Sequence, residues 1–248
     1  MATVSLSGLS LVPVEPSDEE AIRRWYELRH AVMRADWPDY PPPCWVYELG
    51  GFRHPWPGEV ETVWVAQEAG SVVGGCLLTL PMLDNQRNAR GEILVAPGHR
   101  RRGLGRALLA HLRAEATRAY RIRLVVSAEH PLDPAAPDPA GRFAVASGAV
   151  PAQAITRRRL DIDSVDPAVL ARLDAQARGR SAGYSLVRWV GSTPLRWLDD
   201  IAYLMGRMST DARWMTCGGT RKRTTRRGYR PTTPAAWPAD CTCSPPRR

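Results

Sequence analysis

Val95-Ala96-Pro97-Gly98-His99-Arg100-Arg101-Arg102-Gly103-Leu104-Gly105-Arg106-Ala107-Leu108-Leu109 reads as a strand end, a basic turn and a helix start. The apolar run Ile93-Leu94-Val95 leads into it and predicts a buried strand. Pro97 and Gly98 end that strand. Beyond the turn, Leu104, Leu108 and Leu112 recur every four residues with Ala107 beside them, an amphipathic helix expected to run to about Ala119. The first turn of a helix carries backbone N–H groups without partners, and the helix dipole there favours an anion. Gly103 and Gly105 have no Cβ, so a ligand can approach the backbone closely. Arg100, Arg101, Arg102 and Arg106 add charge that suits phosphate oxygens.

The spacing narrows the choice of phosphate ligand. A dinucleotide fingerprint needs a third glycine, and Leu108 stands there. A P-loop needs Gly-Lys-Ser/Thr, and the chain's single lysine is the distant Lys222. What remains, Val95-x-Pro97-x-x-Arg100-x-x-Gly103-x-Gly105, resembles the acetyl-CoA-binding motif of the GNAT superfamily of N-acetyltransferases. The flanking pattern extends the resemblance to about residues 9–162. It implies an α/β (α+β) fold in which helices flank a mixed central sheet. It also implies acetyl transfer from acetyl-CoA, as co-substrate, to a primary amine, without a metal. The backbone of Ile93, Leu94 and Val95 would pair with the pantetheine. Arg100, Arg101, Arg102, Gly103, Leu104, Gly105 and Arg106 would bind the pyrophosphate.

The rest of the chain fits that order. Leu9–Val14 alternates and predicts a first strand. Ser17 and Glu20 form a capping box for a helix to about Met33. The proline-rich loop 36–43 cannot be helical, and Trp45–Phe52 predicts a second helix. The resemblance makes this region one wall of the acceptor site; a plain surface loop fits the residues equally. Thr62–Glu68 and Ser71–Leu80 flank Ala69-Gly70 as a hairpin. Asn88–Val95 is the central strand and Arg121–Val126 follows the long helix. A short helix at Gly141–Ser147 and a closing strand at Ala152–Ile162 complete the expected domain, residues 5–162.

A linker at 163–180 with a helix near Ala168–Ala177 comes next. Tyr184–Val190 then predicts a strand, and Thr193-Pro194 opens a helix striped by Leu195, Leu198, Ile201, Ala202 and Met205. Residues 181–210 thus resemble the opening of a second, truncated GNAT-like unit of a tandem protein. One strand and one helix cannot close a core, so this fragment is expected to lean on the first domain or to self-associate as a homo-oligomer. From Asp211 the composition turns to Arg, Thr, Pro, Cys and Trp. Either a disordered basic tail or a frameshifted reading of the coding sequence explains that change. The second reading is suggested by the single-codon residues Trp214 and Met215, whose neighbourhood encodes an ordinary continuation in another frame.

The 248 residues carry a net charge of +9. Residues 211–248 hold nine basic and two acidic residues, so the remainder is nearly neutral and a nucleic-acid partner is not expected. No apolar run approaches a membrane span, no signal peptide is visible, and isolated Cys44 and Cys76 suit a reducing cytoplasm. The catalytic roles are thinly filled. The position of the acid tyrosine common in the superfamily, four residues before Gly148, is Ala144, beside Phe143. The strand Leu124-Val125-Val126 has no carboxylate. Glu92 on the central strand is the candidate base. The alternative function is a catalytically inactive module that binds acyl-CoA as a sensor or scaffold.

Overall fold

The structure, a computed structural model, describes residues 4–6, 9–133 and 135–211. Six strands form one sheet in the order of the chain. β1 (Val4–Leu6), β2 (Leu9–Pro13), β3 (Glu59–Glu68), β4 (Ser71–Pro81) and β5 (Asn88–Val95) pair antiparallel in succession. β6 (Arg123–Val126) lies parallel to β5, because α3 (Leu104–Arg118) carries the chain back between them. β1 was not expected from the sequence.

Helices cover both faces. α1 (Glu19–Asp36) buries Ile22, Trp25, Leu28 and Val32 against one face, with Val63, Val65 and Leu94. α2 (Trp45–Arg53) adds Trp45, Leu49 and Phe52 to that cluster. α3 covers the other face with Leu104, Leu108 and Leu112 over Trp64, Val73 and Cys76. Adjacent glycines on β4 let both helices come close. A Cβ on Gly74 would lie 2.9 Å from the Leu104 side chain, and one on Gly75 2.9 Å from the Trp25 ring. α4 (Pro139–Ala146), α5 (Pro167–Arg180) and α6 (Leu198–Asp211) follow β6.

Four expectations are corrected. The cap of α1 is Asp18, whose carboxylate accepts from the Ala21 N–H at 3.0 Å; Glu20 pairs instead with Arg24 one turn on. Residues 152–161 are not a strand: Arg157 and Arg159 draw the segment to Asp39 in the α1–α2 loop, and Arg157 also stacks over the Tyr40 ring. Consequently β6 remains at the edge of the sheet. Residues 184–190 are not a strand either; no described strand lies beside them, and a lone extended segment has nothing to satisfy its backbone. The helix expected to open at Thr193-Pro194 begins at Leu198 instead, after a 3-10 turn at Leu195–Trp197; Leu198 and Ala202 are buried but Leu195 is exposed. The tail expected to be disordered lies outside the described residues after Asp211. No helix among the described residues is long and apolar enough to cross a membrane.

One core residue makes stability depend on pH. His111 of α3 is 6% exposed, stands edge-on to the Trp64 ring at 4.7 Å between centroids, and its Nε2 has no hydrogen-bond partner. Burial lowers its pKa from 6.5, against the pull of Glu115. The unfolded chain therefore takes up this proton first as the pH falls. Stability is expected to be level above pH 6.5 and to decline below it, by up to about 1.4 kcal/mol per unit, until the folded protein protonates too. Urea unfolding of wild type and His111→Leu from pH 5 to 8 checks this. The variant should lose that component of the slope, and parallel slopes would refute it.

Candidate active site

The loop between β5 and α3 builds a concave set of backbone donors. Arg101 (φ +64°) and Gly103 (φ +86°) are both left-handed, with Gly103 as the residue before the helix. Such turns aim successive N–H groups at one point. The first helical bonds come from Arg106 and Ala107, both to the Gly103 carbonyl at 3.0 and 3.2 Å. Among the described residues, nothing accepts from the N–H groups of Arg101, Arg102, Gly103, Leu104 or Gly105. A Cβ on Gly103 would meet no atom within 4 Å, so the space before these donors is open. On the far side of Gly105, the Phe143 ring of α4 would lie 3.4 Å from an added Cβ.

The four arginines do not share one role. Arg100 is turned inward. Its Nη1 and Nη2 donate to both oxygens of Asp36, at the end of α1, at 2.7 and 2.8 Å, and its Nε donates to the Val95 carbonyl at 3.3 Å. A guanidinium held this way fixes the loop to α1 and is not free for a phosphate, which corrects the expectation from the sequence. Arg102 pairs with Glu68 at 2.9 Å across the surface. Arg101 and Arg106 have no charged partner among the described residues and remain available.

Below the loop, β5 and β6 separate. Their last paired residues are Gly91 and Val126, so Glu92–Val95 have no strand on that side. The Ala96 N–H reaches the Val73 carbonyl, and backbone groups alternate in direction along a strand. Ile93 and Val95 therefore turn theirs toward the opening, where the Val95 carbonyl already serves Arg100, while Leu94 turns its groups to β4. Leu94 thus cannot offer free backbone to a ligand; it packs its side chain under α1.

Glu92 faces the α1–α2 side. Its Oε2 accepts from Arg29 Nη2 at 3.1 Å, and Arg29 Nη1 donates to Glu48 Oε1 at 3.3 Å. The same Glu48 oxygen accepts from Trp25 Nε1 at 2.9 Å. Burial raises the Glu92 pKa above 4.5; Arg29 opposes this, and the charges of Glu48, Glu61 and Glu129 add to it. A carboxylate whose pKa is raised in this way is a stronger base than a solvated one. The sequence reading missed Arg29 and Glu48. The signal was present: Arg29 is four residues after Trp25 and seven after Ile22, so a charge sits on the apolar stripe of α1. Phe143 and Ala144 of α4 offer no proton donor, and no cluster of three or more His, Cys, Asp or Glu among the described residues could hold a metal.

Comparison with known proteins agrees with this geometry. Residues 59–137 match the model of the acetyltransferase (GNAT) domain. An 80-residue stretch is 44% identical to a mycothiol acetyltransferase of Cellulomonas flavigena, covering 32% of this chain and 21% of that protein. A tandem GNAT protein from the clavulanic acid biosynthesis pathway superposes with a TM-score of 0.58 at 30% identity, over 82% of this chain and 62% of that one. The chain thus spans less than two thirds of either relative's length.

Proposed function

We propose that residues 5–162, of which 59–137 match the acetyltransferase (GNAT) domain, are an N-acetyltransferase that moves an acetyl group from acetyl-CoA to a primary amine. The observation that carries this reading is the run of five unpartnered N–H groups, Arg101 to Gly105, opening beside the gap between β5 and β6. Donors fixed before the ligand arrives favour a pyrophosphate without reorganisation cost. Arg101 and Arg106 supply the mobile charge, and the Ile93 backbone is placed to pair with the pantetheine amides.

Acetyl-CoA supplies the thioester, and the chain's residues bind, orient and move protons. Glu92 takes a proton from the acceptor's ammonium group, leaving a neutral amine. The amine nitrogen forms its bond to the acetyl carbon as the carbon–sulfur bond breaks, and the nitrogen gives up its second proton to water. With Phe143 and Ala144 where a donor could stand, the departing thiolate takes its proton from water. Positioning then supplies much of the rate.

The relatives support acetyl transfer as the reaction class, and the site leaves the acceptor open to any primary amine that fits beside Glu92. The likeness to the tandem protein extends over more of the chain than residues 5–162 make up, which supports reading 163–180 as a linker and 181–210 as part of a second unit. The reduced cysteines suit a cytoplasmic enzyme. The lack of a proton donor on α4 favours a second reading, an inactive module that binds acyl-CoA. A thiol-release assay over a panel of primary amines separates the two. The enzyme reading expects CoA release with at least one amine, falling about 100-fold or more in Glu92→Gln. Saturable acetyl-CoA binding with no release above buffer for any amine would leave the binding module.

A further inference from the structure

Arg29 does more than staple α1 to its neighbours. Among the described residues whose charges act on Glu92, Glu48 on α2, Glu61 on β3 and Glu129 after β6 are acidic, while Arg29 on α1 is the cation in contact with it; Arg90, two residues earlier on the same face of β5, is held by Glu59 instead. The guanidinium reaches Glu92 with one nitrogen and Glu48 with the other. Its seat is fixed from behind. Glu48 is only 11% exposed, and the oxygen that receives Arg29 also receives the indole N–H of the fully buried Trp25. Glu92 is 35% exposed, so this carboxylate is the one that a ligand can reach.

We propose that Arg29 is a positioning residue: anchored through Glu48 and Trp25, it holds the Glu92 carboxylate ionised and aimed at the place where the acceptor amine gives up its proton. The inference rests on the proposed role of Glu92 as base. A planar guanidinium clamped on one carboxylate presents its second edge in a fixed direction. That edge leaves the other oxygen of Glu92 free to accept. Without Arg29, the charges of Glu48, Glu61 and Glu129 would act on Glu92 with their main opposing charge gone, and Glu92 would hold its proton to higher pH. The placement of α2, one wall of the cleft, is thereby tied to the protonation state of the base.

The test uses the full chain without substrate. Glutamate labelled with carbon-13 at Cδ is titrated by NMR in wild type, Arg29→Gln and Arg29→Lys, with Glu92→Gln to assign the resonance and circular dichroism to confirm folding. The expected result is a Glu92 midpoint shifted to higher pH in Arg29→Gln and partly restored in Arg29→Lys, which keeps the charge. With any amine that the thiol-release assay accepts, the acid limb of kcat/KM should move in the same direction, with roughly tenfold lower kcat/KM on the acid side in Arg29→Gln. An unchanged Glu92 midpoint in folded Arg29→Gln would overturn the proposal. Full activity in Glu92→Gln would instead overturn the role of Glu92 as base, and the two failures are read from different variants. If Arg29→Gln does not fold, Arg29→Lys carries the test: a Glu92 midpoint above that of wild type, because an ammonium cannot reach both carboxylates in the guanidinium's planar geometry, supports the proposal, and a midpoint equal to or below that of wild type overturns it.

Discussion

Gly103→Val together with Gly105→Val is expected to abolish acetyl-CoA binding while the domain stays folded. Gly103 has φ +86°, a conformation that costs an L-residue about 1–2 kcal/mol. Its Cβ would meet no protein atom within 4 Å, so a valine there extends into the open space around the loop proposed to hold the pyrophosphate. At Gly105 a Cβ already stands 3.4 Å from the Phe143 ring and 3.9 Å from Val95, so valine's extra methyl groups must displace the ring or turn into the cleft. Two such intrusions remove the approach of an anion to the backbone, and calorimetric titration should show affinity reduced by more than about 100-fold. Circular dichroism should retain the helical and sheet signal. Affinity equal to wild type would place the ligand elsewhere.

The largest expected loss of stability is at Trp25. Its side chain is fully buried between α1 and β4, lies over Gly75, and donates to Glu48. Trp25→Ala leaves a cavity that cannot collapse easily, because the sheet below is fixed by pairing on both sides of β4. The cost is about 3–5 kcal/mol, which for a domain of this size lowers Tm by roughly 10 °C or more. The buried Glu48 also loses one of its two donors. Trp25→Phe keeps much of the volume and should cost less, the remainder reporting the lost N–H bond. Thermal unfolding of both variants checks this. An alanine variant within about 1 kcal/mol of wild type would show that Trp25 is not a core residue.

The turn at Pro97–Gly105 was legible in the sequence because its geometry is local. Proline and glycine punctuate the strand, and the leucine repeat after Gly103 declares the helix without reference to distant residues. The hairpin across Ala69-Gly70 was legible for the same reason. Arg100 was misread because its partner, Asp36, lies 64 residues away at the end of α1, and no local spacing distinguishes an arginine turned inward from one turned to a ligand. The expected strands at Ala152–Ile162 and Tyr184–Val190 have the right alternation but lack a paired neighbour. Alternation marks what a segment can do, whereas pairing decides what it does. At 157 and 159, two arginines found Asp39 first. The Arg29–Glu48–Glu92 chain joins three elements, and only the misplaced charge on the α1 stripe hinted at it.

The central claim is that the N–H groups of Arg101 through Gly105 hold the pyrophosphate of acetyl-CoA. It is tested most directly by following the assigned backbone amide resonances of nitrogen-15-labelled protein during titration with acetyl-CoA. The expected result is that the amides of Arg101, Arg102, Gly103, Leu104 and Gly105 shift together along one saturable curve, with the Ile93 amide following. Saturable binding that leaves these five amides unmoved, or no binding by a folded sample, would contradict it.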